Sequence, residues 1–201
     1  MKVLTFLGKD FDNLCFKLAD MVINMNFTPD IVIGVLTGGG CIGQRSMIEF
    51  RKKNIQHNIH YTEVKIQRPS TIKKKDHNLK TWLVKLPVYL LNTLRVLEVY
   101  YYEIKVRFVK PNRQGVIALD KTTDDLLKVG GKKVLIIDDC IDTGFTLKII
   151  KDYLMLNYPG NDFRVAVATV SHHFPVIHAD YQLYDRTLIR FPWANDVKEN
   201  E

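Results

Sequence analysis

The sequence predicts an α/β fold in which a parallel β-sheet is flanked by helices. Three observations carry that expectation. Runs that are apolar at every residue recur along the chain, as strands buried on both faces require. Stretches with apolar residues at helical spacing separate them. Loops rich in Gly, Thr and Asp stand where the runs stop, so strands alternate with helices and need crossover connections.

Taken in order, Phe11, Leu14, Cys15, Leu18, Met21, Val22 and Met25 predict a first helix, with Asp10 or Asp12 placed to cap it. Thr28-Pro29-Asp30 breaks the pattern, and Ile31–Leu36 reads as a buried strand. Thr37-Gly38-Gly39-Gly40 is a loop before a helix that runs to about Lys53. Ile59–Ile66 is a second strand. Val134–Ile137 is an apolar run that leads into Asp138-Asp139, followed by a helix from about Phe145. Arg164–Val170 is a further strand. The whole chain, 1–201, is expected to form a single domain.

The segment 67–113 is inserted into this order. It opens with a basic loop, Arg68–Lys75. Leu90, Leu94, Leu97, Tyr101, Ile104 and Phe108 then alternate four and three apart, which makes one apolar stripe on a helix. A wealth of Val and Tyr makes a strand from about Val99 the competing reading, and Pro87 ends or kinks what precedes it. The stripe is expected to pack on the core or on another subunit.

Composition excludes more than it assigns. The chain of 201 residues has 46% hydrophobic and 25% charged residues, the balance of a soluble globular domain. No run approaches the ~18 apolar residues of a membrane span, and the opening MKVLTFLGKD is too short for a secretory signal. Three cysteines in no CxxC arrangement point to a reducing cytoplasm. The net charge of +7 suits a polyanionic ligand or a basic surface without a partner.

Chemistry concentrates in Val134–Thr146. An apolar run leaves the sheet, two adjacent carboxylates follow, and a short loop with Asp142, Thr143, Gly144 and Thr146 opens onto a helix. Ligands of open α/β sheets bind at the carboxyl ends of strands. A helix N-terminus favours a phosphate there, and a glycine lets the backbone approach it. Paired acids can accept hydrogen bonds from the vicinal hydroxyls of a sugar. The segment reads as a ribose-phosphate receptor.

That thirteen-residue string resembles the phosphoribosyl-pyrophosphate signature of type I phosphoribosyltransferases: a hydrophobic run, two acids, two residues, then Asp-Thr-Gly-x-Thr. Asp30–Gly39 is similar to the family's first strand and pyrophosphate loop. Thr187–Trp193 resembles the tail of xanthine-guanine type enzymes. The resemblance implies a Rossmann-like sheet with a hood, and an insertion, helical or mixed, in the flexible-loop position. It implies transfer of the phosphoribosyl group from phosphoribosyl pyrophosphate to a nitrogenous base, a purine of the hypoxanthine-xanthine-guanine class, in base salvage.

By the same resemblance Asp138 and Asp139 hold the ribose hydroxyls directly or through Mg2+, and Asp142 is the catalytic base. Thr143, Gly144, Phe145 and Thr146 join Asp142 around the 5′-phosphate. Thr37, Gly38 and Gly39 face the pyrophosphate, and Arg68–Lys75 is the mobile lid. His172, Leu188 and Ile189 face the base. A homodimer or higher homo-oligomer is implied. Three positions depart from the pattern: Thr37 replaces a basic residue, Ser171-His172-His173 replaces a lysine, and Leu188 replaces a stacking aromatic. The last two keep open a different base as acceptor. A non-catalytic phosphoribosyl-pyrophosphate-binding regulator is the other alternative, although the chain carries no recognisable nucleic-acid module.

Overall fold

The computed structural model of the chain describes residues 1–53, 58–67, 86–108, 116–194 and 196–197. Five parallel strands form the main sheet. They are β2 (Ile31–Val35), β3 (His60–Val64), β6 (Lys133–Ile141), β7 (Asp162–Val170) and β8 (Tyr181–Asp185), in the order β3-β2-β6-β7-β8. The chain leaves β2 for β3 on one side and later returns as β6 on the other. The crevice between β2 and β6 at their carboxyl ends is therefore a topological switch point, where open α/β sheets bind ligands.

Helices cover both faces. On one, α1 (Gly8–Asn24) and α2 (Gly38–Lys53) bury Leu14, Leu18, Ile42 and Phe50 against alternate residues of the strands, Val32, Leu135 and Ile137. The other face carries α4 (Lys121–Val129) and α5 (Phe145–Asn157), which bury Leu127, Leu147, Ile150 and Leu154 on Ile33, Val134 and Ile136. All five residues of β2 are buried, as a continuous apolar run predicts. Helix α2 comes unusually close to β2. A Cβ on Gly34 would fall 2.9 Å from the Gly40 Cα and 2.8 Å from the Tyr61 hydroxyl, so only glycine fits there.

Two small sheets complete the fold. β1 (Lys2–Thr5) pairs in parallel with β9 (Thr187–Arg190), and this hood stands over the carboxyl end of the main sheet. β4 (Ile66–Gln67) pairs antiparallel with β5 (Val116–Ile117), joining the two flanks of the insertion. Within the insertion α3 (Val88–Phe108) is a helix throughout, so the strand reading from Val99 does not hold. It begins directly after Pro87, whose fixed φ suits a helix start.

Three boundaries differ from the sequence expectations. α1 starts at Gly8 with Leu7 as its uncapped N-cap, and Asp12 instead bonds Arg45 of α2 at 2.7 Å. The glycines 38–40 form the first turn of α2 rather than a loop. β6 runs on through Asp138 and Asp139 to Ile141, because Asp138, Cys140 and Ile141 keep register with Val167, Thr169 and Val170 of β7. The stripe on α3 does not pack on the core: Leu94, Leu97, Tyr101 and Ile104 are 42–60% exposed. The side chain of Phe108 lies outside the described residues, as do Arg68–Lys75.

Candidate active site

At the switch point a cavity of about 740 Å³ opens at the carboxyl ends of β2 and β6. One wall is the β2–α2 turn, with Thr37 and Gly38; the Leu36–Thr37 peptide is cis. The floor is the end of β6 with Asp138 and Asp139. The opposite wall is the β6–α5 turn, with Asp142, Thr143, Gly144 and Thr146. The hood contributes Leu188, Ile189, Phe191 and Trp193, and α3 contributes Arg95, Glu98 and Val99.

The β6–α5 turn is shaped by glycine. Gly144 is the N-cap of α5 with φ of 79°, in the left-handed region that favours glycine, and a Cβ there would also press on Ile177. The N-cap Gly144 offers no side-chain cap to α5, and the helix's positive end borders the cavity. The Val176 amide donates to the Thr143 carbonyl at 3.0 Å, which ties the turn to the segment after β7.

The two acids sit in the strand, not beyond it. Burial, then the charge of Asp139, pushes Asp138 well above the usual carboxylate range. Burial also raises Asp139, although its contact with Asp138 and the indole of Trp193 oppose this. Trp193 Nε1 donates to Asp139 Oδ2 at 3.3 Å, and the Asp139 amide donates to Asp138 Oδ1 at 2.9 Å. A Cβ on Gly38 would collide with the Asp139 carboxylate, so the glycine makes room for the acid.

Two carboxylates on hard oxygen suit a magnesium ion that takes its remaining ligands from water and a phosphorylated substrate. Among the described residues no cluster of three or more His, Cys, Asp or Glu side chains gathers to hold a metal alone. The donor set fits an ion held jointly with its substrate.

Asp142 is the exposed acid of the site, with 64% of its side chain accessible. The Ser171 hydroxyl donates to its Oδ1, and Cys140 Sγ approaches the same oxygen at 3.1 Å. His172 is buried at the cavity edge, whereas its neighbour His173 is exposed. The predicted residues thus converge, with two exceptions. Gly39 lies against the backbone of β6 and not on the cavity surface, and Phe145 does not line it.

The contributions of α3 escaped sequence reasoning. Arg95, Glu98 and Val99 were hidden inside a stretch whose visible signal was the apolar stripe, and they stand off that stripe. Their signal is the pair of polar residues, Asn92 and Arg95, that recur one turn apart and fasten this side of the helix to the hood. Arg190 Nη2 donates to Asn92 Oδ1 at 2.9 Å, and Arg95 Nε donates to Asp196 Oδ2 at 2.8 Å. The departure at Leu188 is also softened: Leu188 is buried beside the cavity, but Phe191 and Trp193, stacked on each other at 4.8 Å, line it as well.

The chain is similar to proteins of one known family. The phosphoribosyl transferase domain model matches residues 9–173. A 45-residue stretch is 44% identical to the hypoxanthine-guanine phosphoribosyltransferase of Aquifex aeolicus (strain VF5), and it covers 22% of this chain and 24% of that protein. The aligned part is thus about a quarter of that relative's length. Among solved structures, the purine phosphoribosyltransferase of Pyrococcus horikoshii Ot3 superposes with a TM-score of 0.58 at 17% identity, covering 96% of this chain and 95% of its own. The xanthine-guanine-hypoxanthine phosphoribosyltransferase of Helicobacter pylori gives 0.59 at 14% identity, over 95% and 93%. These two likenesses establish the fold. The family match spans the β2–α2 turn, β6 and the β6–α5 turn, while the hood residues 187–193 lie beyond it, and the chain belongs to the phosphoribosyl transferase domain family.

Proposed function

We propose that this protein transfers the 5-phosphoribosyl group from phosphoribosyl pyrophosphate to a purine base in salvage and releases pyrophosphate. One observation carries the reading. A single cavity joins a helix N-terminus with no side-chain cap, a pair of half-buried carboxylates and an apolar hood, which match a phosphate, a sugar and a base in that order. The names of the three similar proteins described above support the purine.

In this reading Thr143, Gly144 and Thr146 receive the 5′-phosphate at the positive end of α5. Asp138 and Asp139 accept the ribose hydroxyls and hold magnesium. Charge on the departing pyrophosphate is what a bound magnesium ion neutralises. Thr37 and Gly38 face that pyrophosphate without a cationic side chain. Leu188, Ile189 and His172 border the base. Asp142 takes the proton of the base nitrogen as that nitrogen bonds to C1 of the ribose.

The protein is placed in the cytoplasm, in keeping with three free cysteines, and as a homodimer through α3. Among the described residues no helix is long and apolar enough to cross a membrane.

Pyrophosphate release, followed with magnesium, phosphoribosyl pyrophosphate and a panel of bases, tests the proposal. Turnover is expected with hypoxanthine, guanine or xanthine; turnover with none of the panel sinks it. Asp142→Asn should leave phosphoribosyl pyrophosphate binding intact and slow transfer roughly 10²–10⁴-fold, the usual worth of a general base. Unchanged turnover in that variant removes Asp142 from the role.

A further inference from the structure

We infer that Ser171 and His172 are positioning residues: His172 orients Ser171, and Ser171 binds one oxygen of Asp142, so that its other oxygen is the one presented to the substrate. The inference rests on the reading of Asp142 as the base, and it names which atom acts and what holds it.

Asp142 stands in the turn after β6 and Ser171 directly after β7. The Ser171 amide donates to the Ile141 carbonyl at 2.9 Å, which extends the β6–β7 ladder by one step and sets the serine side chain beside Asp142. Ser171 is fully buried and His172 is 7% exposed, so neither is free to swing away. Asp142 is the reverse: it is mostly exposed, and without partners it would sample several rotamers.

Proton counting fixes the direction of the hydrogen bonds. The Ser171 hydroxyl has one hydrogen, and four groups lie in reach: Asp142 Oδ1, which is closest, His172 Nδ1 at 3.1 Å, the Ile141 carbonyl at 3.4 Å and the Cys140 thiol. An ionised carboxylate only accepts, and charge-assisted bonds are the shorter and stronger ones, so the hydrogen goes to Asp142. His172 Nδ1 then meets a serine lone pair and must itself carry a hydrogen. The chain runs His172 Nδ1–H to Ser171 Oγ–H to Asp142 Oδ1.

The charged groups around His172 are Asp142 and Glu103, which favour its cation, and Arg186, which opposes it. Burial outweighs them and lowers its pKa, which favours the neutral ring. A neutral ring protonated on Nδ1 leaves Nε2 as a bare acceptor, and among the described residues the buried Nε2 has no hydrogen-bond partner. At the other end, Oδ1 of Asp142 receives Ser171 and also Cys140 Sγ at 3.1 Å. Among the described residues Oδ2 has no protein donor, which makes it the oxygen able to accept a proton from a ligand.

The experiment has an arm that needs no turnover. Nitrogen-15 spectra of the free protein, with the His172 signals identified by their loss in His172→Asn, should give the tautomer protonated at Nδ1. A ring protonated at Nε2 overturns the proposal, because the serine could not then be receiving a hydrogen from it. The kinetic arm compares variants in pyrophosphate release. Ser171→Ala should lower kcat roughly 10- to 100-fold, the scale of a misplaced catalytic group, with KM for phosphoribosyl pyrophosphate within about 2-fold. Ser171→Thr, which keeps the hydroxyl, should recover most of the loss. His172→Asn, which keeps an N–H near Nδ1, should exceed His172→Leu.

In an Asp142→Asn background Ser171→Ala should add nothing, as expected of residues that act as one unit. A full additional loss there means that the serine acts elsewhere, and the proposal fails. If Asp142→Asn is slow but Ser171→Ala is not, only the positioning role falls. If Asp142→Asn itself turns over normally, the base assignment falls with it.

Discussion

Asp138 and Asp139 are held where the free protein has little use for two negative charges. Both carboxyls are raised by burial, and each lies in the field of Asp142 as well. A carboxylate whose folded pKa exceeds its unfolded value binds more protons when folded, so stability falls as pH rises from the unfolded value of 3.8 through the raised range. Ionising the pair therefore costs stability, and a cation and a sugar relieve that cost. Asp138→Asn with Asp139→Asn should raise the thermal midpoint of the free protein, by the order of 1–2 kcal/mol of stability for relief of like charge and desolvation. The same variant should lose the further stabilisation that magnesium and phosphoribosyl pyrophosphate give the wild type. Scanning calorimetry with and without ligand reads both. A midpoint that drops in the free variant would mean the acids serve the fold rather than the ligand.

Among elements, the strands and α5 were readable because their signal is local. A run such as Ile31-Val32-Ile33 must be buried on both faces, and the string from Val134 to Thr146 carries its own turn and helix start. The extent of β6 was not readable. What carries it through two acids is the pairing with β7, a contact between segments far apart in the chain. Helix α3 was half legible: the period of its stripe gave the helix, but nothing local said which side would face the hood. The outcome is a helix tethered by Leu91, Asn92, Arg95 and Glu103, with Leu94, Leu97, Tyr101 and Ile104 left open to solvent. A seam with a four-three repeat fits a second helix with the same repeat, so a second copy of the chain is the proposed partner. Leu97 lies near the middle, and Leu97→Glu should weaken a dimer roughly 100-fold or more, since two leucines are lost per pair at about 1.5–3 kcal/mol each. Sedimentation equilibrium measures this directly. A wild-type protein that stays monomeric at high concentration refutes the seam, and a dimer indifferent to Leu97→Glu moves the interface elsewhere.

At the scale of the molecule, the hood and α3 are joined by a small ionic lock. Asp196 accepts from Arg190 Nε at 3.0 Å and from both Arg95 Nε and Nη2; Arg190 also donates to Thr5 Oγ1 at 3.0 Å and to Asn92. Four distant segments, β1, α3, β9 and the chain after Trp193, meet at this point. Asp196 and Arg190 are each only 7% exposed at the side chain, so the pair is a buried one. Burial raises the Asp196 pKa, but Arg95 and then Arg190 outweigh it and hold the carboxyl below its usual value. A depressed folded pKa gives stability that is present above the unfolded value of 3.8 and is lost as pH falls through the folded one, so the lock should loosen only in strong acid. Removing one partner of a buried pair strands the other charge and costs about 3–5 kcal/mol. Asp196→Ala should therefore be among the most damaging single changes outside the site. Hydrogen exchange can tell where the loss falls. If the hood and α3 form a unit that opens over the cavity, protection drops at β1, β9 and the first turns of α3, while β2, β6 and β7 keep theirs. A matched fall across the main sheet would mean that hood and sheet unfold together, and that access to the cavity is not governed by this lock.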